Sequence, residues 1–129
     1  YRSLLQEPSI LEVLNLISHA NCVIHSIGRA LHMAARRKMS EEEILMLKQK
    51  NAVAESFGYF FNEQGEVVHK VPRIGIELAE LRKVPVILAV AGGKSKAKAI
   101  GAYMKNAPKQ TWLITDEAAA NEILKGATL

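Results

Sequence analysis

The segment VPVILAVA, residues 84–91, is apolar throughout, ends in Gly92–Gly93 and passes directly into KSKAK. A continuous apolar run of this kind is typical of a strand covered on both faces, and such strands belong to parallel sheets flanked by helices. The residues that follow, KAKAIGAYMK, predict a helix with Ala97, Ile100, Gly101 and Met104 on one side. TWLIT followed by DEAAANEILK repeats the strand-to-helix arrangement, and VIHSIG followed by RALHMAARR adds a third unit around residues 22–36. The alternation predicts an α/β domain with a mostly parallel sheet. Right-handed crossovers gather the strand ends of such a sheet along one edge, where its ligands sit.

Around these units the punctuation is readable. Ser9 stands three residues before Glu12, a capping-box pattern that predicts a helix with Ile10, Leu11, Leu14 and Ile17 inward. A second box, Ser40 with Glu43, opens SEEEILMLKQ after a break near Lys38. AVAESFGYFF and EVVHKV, separated by NEQG, predict a hairpin or a strand with a tight reversal, a unit that Pro72 ends, since proline cannot donate to a ladder. IELAELRK predicts a short helix, and Gly126 a C-cap for the last one.

A chain of 129 residues suits one domain with its own core, and 49% apolar against 23% charged residues is the balance of a soluble globular protein. Lys and Arg total 17 against 13 Asp and Glu, a formal charge of +4. That balance favours anionic partners but lacks the dense basic tract of a nucleic-acid arm, so these residues are not expected to touch nucleic acid directly. Cys22 is the single cysteine, which rules out an internal disulfide and a thiolate metal cluster and suits a reducing cytoplasm. No apolar run reaches the roughly 20 residues of a membrane span. The chain opens at Tyr1 without a leader pattern, and the expectation is a fragment of a longer polypeptide.

The turn at Gly92, Gly93, Lys94, Ser95 and Lys96 is the first candidate site. Glycines after a buried strand let the backbone turn sharply and come close to a bound group. The following helix offers unpaired N–H groups and the positive end of its dipole. Lysines at that terminus are unfavourable for the helix by itself and make sense if an anion is expected; the competing reading is a solvated turn with surface lysines, to which Lys98 and Lys105 are assigned. A nucleotide P-loop would need glycine at position 88, which is leucine, and a dinucleotide fingerprint would need glycine at position 96, which is lysine.

Arg36 and Arg37 end a helix, where cations are favoured in any case, but the arginine fork also suits phosphate oxygens. Glu55 lies in a run of Ala, Val, Phe and Tyr, where an isolated carboxylate is costly unless a sugar hydroxyl or a neighbouring arginine pairs it. Asp116 is read as the cap of the last helix, with a site role left open by its place at a strand end. The four histidines show no metal spacing, and of these only His25 lies near the expected ligand edge. No G-x-S-x-G elbow occurs, so neither serine-hydrolase nor zinc chemistry is expected, and no catalytic residue, metal or cofactor is assigned.

Taken together, VAGGKSKAKAI, TWLITDEAAANEIL, AESFGYFFNEQGEVV and ALHMAARRKMSEEE resemble the effector-binding domain of the SorC family of bacterial transcription regulators. The resemblance covers roughly residues 20–126 and implies a Rossmann-like sheet related to ribose-phosphate isomerase and glucosamine-phosphate deaminase. It makes residues 1–129 the C-terminal part of a sugar-phosphate effector domain, with a DNA-binding module elsewhere. It implies a non-enzymatic, cytoplasmic repressor, a homo-oligomer of two or more copies, that senses a phosphorylated sugar and through it controls operator DNA. Among family members governing glycolytic genes the effector is fructose-1,6-bisphosphate. Carried over, the ligand arginine falls on Arg36, with Arg37 adjacent as an alternative, the hydroxyl-binding acid on Glu55 and the phosphate lysine on Lys96. The fold also admits a sugar-phosphate isomerase or deaminase, for which Glu55 would be the one clear acid or base.

Overall fold

The computed structural model describes residues 2–127. After a single 3-10 turn at Leu4–Gln6 come α1 (Pro8–Ser18), β1 (Cys22–His25), β2 (Gly28–Arg29), α2 (Ala30–Arg36), α3 (Glu41–Gln49), β3 (Ala54–Ser56), β4 (Tyr59–Phe61) and β5 (Val67–Lys70). The second half contains α4 (Leu78–Leu81), β6 (Val86–Val90), α5 (Ala97–Lys105), β7 (Thr111–Ile114) and α6 (Glu117–Ala127). The strands form two sheets. One is parallel, in the order β1-β6-β7, and the other antiparallel, in the order β2-β3-β4-β5.

The parallel sheet uses two of the three strand-to-helix units read from the sequence, β6 with α5 and β7 with α6; in the third, β2 of the antiparallel sheet stands between β1 and α2, and α2 packs on the antiparallel sheet. His25 lies beside Ala89, and Val90 beside Ile114, so the carboxyl ends of all three strands are aligned. The antiparallel sheet contains the predicted hairpin, but AVAESFGYFF is two strands instead of one. Ser56 and Tyr59 face each other across a reversal in which Phe57 (φ 57°) and Gly58 (φ 82°) are both left-handed. That is the handedness favoured in two-residue hairpin turns.

Helix α5 joins the two sheets. Its Ala99, Ile100, Ala102 and Tyr103 pack with Ala89 and Ala91 of the parallel layer and with Ala54, Tyr59 and Phe61 of the antiparallel one. Alanines at this junction allow backbones to approach closely, and Ile100 and Tyr103 fill what remains. Of the set inferred from spacing, Ala97 and Ile100 are buried and Gly101 and Met104 half-buried; Ala99, Ala102 and Tyr103 complete the inward face of α5. On the other side of the antiparallel sheet Phe60 packs with Ala30 and Ala34 of α2 and Leu47 of α3. Tyr59, Phe60 and Phe61 thus alternate between faces as the pleat requires, and all three are buried because both faces are covered.

Four expectations are corrected. Helix α1 starts on Pro8 at its first position, with Glu7 as N-cap and no side-chain cap, so Ser9 and Glu12 form no box; proline's fixed φ and missing N–H suit that position. Ile10, Leu14 and Ile17 are half-buried while Leu11 is exposed, α1 having no fully buried residue. Gly126 lies inside α6 instead of capping it. Finally, β6 is covered on one face only: Ile87 and Ala89 are buried, whereas Val86 and Val90 share an open face with Ile24 (69% exposed) and Trp112 (71%). The Ser40–Glu43 box on α3 has both reciprocal hydrogen bonds, and Lys38 (φ 56°) makes the break before it.

Candidate functional site

The turn after β6 is built by two glycines for two different reasons. A Cβ on Gly92 would stand 2.7 Å from Asp116 Oδ2, so the side chain is excluded by a neighbour. At Gly93 a Cβ would meet nothing within 4 Å, but φ 97° with ψ 139° is a conformation essentially closed to other residues. Asp116, at the end of β7, clasps the turn: Oδ2 accepts from Gly93 N–H at 2.8 Å and Oδ1 from Ala119 N–H at 2.9 Å, capping α6. One carboxylate therefore couples the ends of two adjacent strands.

A 3-10 turn at Lys94–Lys96 leads into α5. Its lysines and the next one differ in what neutralises them. Lys94, 74% exposed in its side chain, reaches Glu122 of α6 at 3.8 Å, and Lys98 reaches Glu63 at 2.8 Å. Lys105 donates to the Glu63 carbonyl at 2.7 Å. Lys96 is half-buried, and among the described residues its ammonium has no hydrogen-bond or ion-pair partner. A cation at a helix N-terminus opposes the dipole; Lys96 does so without a counter-charge and with less water around it than Lys94.

The second group of residues surrounds Glu55, which is 4% exposed. Its backbone pairs with Gly28, three residues beyond the end of β1, and with Phe60. Arg37, immediately after α2, donates to Glu55 Oε1 from Nε at 3.2 Å and from Nη2 at 2.5 Å, and Gly58 N–H donates to the same oxygen at 3.0 Å. The carboxylate thus holds the hairpin reversal as well as the arginine. Phe57 adopts a backbone conformation rare for a bulky residue, and its ring lies 4.5 Å from that of His25, at the end of β1.

His25 forms the joint between the sheets. Its Nδ1 lies 2.9 Å from the Ser26 carbonyl and 3.0 Å from Ser56 Oγ, and its Nε2 lies 3.5 Å from the Tyr103 hydroxyl. Ser56 Oγ donates to the Ser26 carbonyl at 2.8 Å. Burial holds the His25 imidazole below its ordinary pKa, partly opposed by the Ser26 carbonyl, and burial pushes the Tyr103 phenol up to about 12.

Of the sequence candidates, Gly92, Gly93 and Lys96 occupy the carboxyl edge of β6. Ser95 is exposed, and Lys94 turns toward α6. Glu55 is brought together with Arg37, whereas Arg36 is exposed and has no polar partner among the described residues. No hydrogen bond or ion pair joins Lys96 to Glu55 or Arg36. Lys96 follows the end of β6, Glu55 pairs just past the end of the adjacent β1, and Ala99 on α5 belongs to the same core cluster as Ala54. Sequence reasoning missed the Phe57–Gly58 reversal, for which the signal was a lone glycine inside a strand pattern. It also missed the His25–Ser56–Tyr103 contacts, which have no local signal. Among the described residues no cluster of His, Cys, Asp or Glu could hold a metal, and no helix is long and apolar enough to cross a membrane.

A parallel sheet with a glycine turn and a lysine unpaired among the described residues at its carboxyl edge makes this an α/β domain, and the comparisons with known proteins specify which. Residues 1–125 match the family model of a sugar-binding domain. The central glycolytic genes regulator of Priestia megaterium is 51% identical over 125 residues, 97% of this chain and 36% of that protein. The crystal structure of a SorC family transcriptional regulator from Enterococcus faecalis superposes with a TM-score of 0.92 at 79% identity, over 96% of this chain and 50% of that one. The full-length sorbitol operon regulator SorC from Klebsiella pneumoniae shares the fold, with a TM-score of 0.82 at 18% identity over 95% of this chain and 42% of that one. The chain belongs to the sugar-binding domain family of SorC-type transcription regulators. It spans about a third of the length of the curated relatives it matches and half of the solved Enterococcus chain.

Proposed function

We propose that this domain binds a phosphorylated sugar, fructose-1,6-bisphosphate before others, and binds it without turning it over. In this reading, occupancy shifts the population of domain shapes and so alters operator binding by a separate N-terminal module, controlling glycolytic genes. The acting form is a cytoplasmic homo-oligomer. A differential affinity worth about 1–3 kcal/mol between two shapes is sufficient for such control.

The observation that carries this reading is the contrast among the lysines at the start of α5: Lys94 and Lys98 have carboxylate partners, while the half-buried Lys96 has none among the described residues. A phosphate beside Gly93 would supply the absent counter-charge and use the positive end of the helix. Glu55 supplies an acceptor for sugar hydroxyls and Arg36 an unengaged fork for phosphate. Relatives named as regulators of central glycolytic genes favour the bisphosphate.

Calorimetry with fructose-1,6-bisphosphate, glucosamine 6-phosphate and ribose 5-phosphate tests the reading, with product assays run on the same mixtures. Binding of the bisphosphate, weakened in Lys96→Ala and Arg36→Ala and unaccompanied by product, is expected. Turnover of any of the three would replace the sensor by an isomerase or deaminase.

A further inference from the structure

Two adjacent arginines end α2, and the structure treats them differently. Arg36 is exposed and unpartnered among the described residues, whereas both Nε and Nη2 of Arg37 lie on a single oxygen of a buried carboxylate. That oxygen, Glu55 Oε1, also accepts from Gly58 N–H. Three donors on one oxygen leave it no capacity for a ligand.

The other oxygen is in the opposite situation. No described donor lies on Glu55 Oε2, and it is not among the sealed side-chain atoms that lack a partner, which are His69 Nε2, Arg73 Nε, Thr111 Oγ1 and Thr115 Oγ1. It is therefore an acceptor without a described partner that is not fully sealed, on a side chain only 5% exposed, and the bonds to its twin hold it in one orientation. A carboxylate so fixed accepts a hydroxyl proton and repels an anion, because an acceptor-only group has no proton to offer a phosphate oxygen.

We infer that Arg37 is a positioning residue: it locks Glu55 through Oε1, so that Oε2 reads a hydroxyl of the ligand, and does not itself bind phosphate. The inference rests on the proposed sugar-phosphate reading and adds to it a division of labour between neighbouring arginines. Its chemical consequence is that the ligand must present a hydroxyl donor, and not a second anionic group, to Glu55. The reversed hairpin belongs to the same lock, since Gly58 delivers its N–H to Oε1 from a turn in which Phe57 and Gly58 are both left-handed.

A double-mutant cycle with two probes tests this on the full protein. Affinity for fructose-1,6-bisphosphate is measured by calorimetry in the parent, Arg37→Ala, Glu55→Gln and the double variant, and pyrophosphate serves as the probe without hydroxyls on carbon. Arg37→Ala is expected to weaken bisphosphate binding at least tenfold beside Glu55 but no more than twofold in the Glu55→Gln background, and to leave pyrophosphate affinity within twofold of the parent. An equal loss in both backgrounds, or a tenfold loss for pyrophosphate, shows Arg37 on phosphate and overturns the inference while the sugar-phosphate reading stands. If the parent binds neither probe, the reading falls and takes the inference with it. Should Arg37→Ala not fold, Arg37→Lys runs the same cycle: it keeps the charge but loses the two-donor fork, and parent-like bisphosphate affinity there overturns the lock.

Discussion

The two sides of the candidate site are made differently. On one side, the turn at Gly92–Lys96 is mostly backbone: a glycine in a conformation closed to other residues, another pressed against Asp116, and a lysine left without a counter-charge. On the other, Glu55 is nearly sealed, its Oε1 saturated by Arg37 and Gly58, with a strained reversal packed on His25. The first side has an unspent charge, and the second an unspent lone pair held in a fixed direction. A site that recognises a phosphorylated polyol needs both, since phosphate is attracted by charge at low geometric cost whereas a hydroxyl is distinguished from water only by an acceptor that cannot move.

On that contrast, substitution on the sealed side costs more stability than substitution on the turn does, and loss of the turn's lysine costs affinity and not stability. The largest effect expected is from Glu55→Ala, which strands Arg37 and the Gly58 N–H; urea denaturation should show a loss of about 2–3 kcal/mol, less than for a fully buried pair because the arginine is part-exposed. Gly93→Ala, forced to φ 97°, should cost about 1–2 kcal/mol by the same assay. A Glu55→Ala cost below that of Gly93→Ala would erase the contrast. Lys96→Ala should leave the denaturation midpoint in place while reducing affinity for fructose-1,6-bisphosphate about tenfold, worth about 1.4 kcal/mol, with a shallower salt dependence; a destabilised protein with undiminished affinity would reverse the assignment.

Smaller effects sharpen the contrast. The folded His25 titrates below its ordinary value, so the unfolded chain takes up the proton first on acidification. The stability linked to keeping it neutral is complete above about pH 6.5 and declines as pH falls through the folded value. Melting temperatures between pH 7.5 and 5.5 should therefore fall less in His25→Gln than in the parent, and equal falls would remove His25 from the account. Least of all, Lys98→Ala should change neither affinity nor melting temperature, its ion pair with Glu63 being exposed.

How much was legible depended on the range of the interaction. The strand-to-helix units β6–α5 and β7–α6, the Ser40–Glu43 box and Asp116 as a cap are local, depending on residues a few positions apart, and the structure has all of them; the unit at residues 22–36 it interrupts with β2, whose pairing with β3 is not local. Ser9 misled because Pro8 in the preceding position is a stronger start signal than a serine without its reciprocal bond. Lys96 was legible as a cation in the turn but not as the unneutralised one, because the partners of Lys94 and Lys98 come from α6 and from the loop after β4. The choice between Arg36 and Arg37 was equally out of reach, since one residue's step around a helix end swings a side chain by about 100°, and only the packing of α2 on the antiparallel sheet fixes which one meets Glu55.

From its sequence alone this protein was committed to parallel strands feeding helices, to a glycine turn ahead of a basic helix, and to an acid in apolar company, because backbone preference and hydrophobic period act over a few residues. Tertiary structure decided which charges are spent and which remain. That outcome depends on separations of a few ångströms between residues as far apart in sequence as Arg37 and Glu55 or Gly93 and Asp116, and electrostatic and hydrogen-bond energies change steeply over such distances.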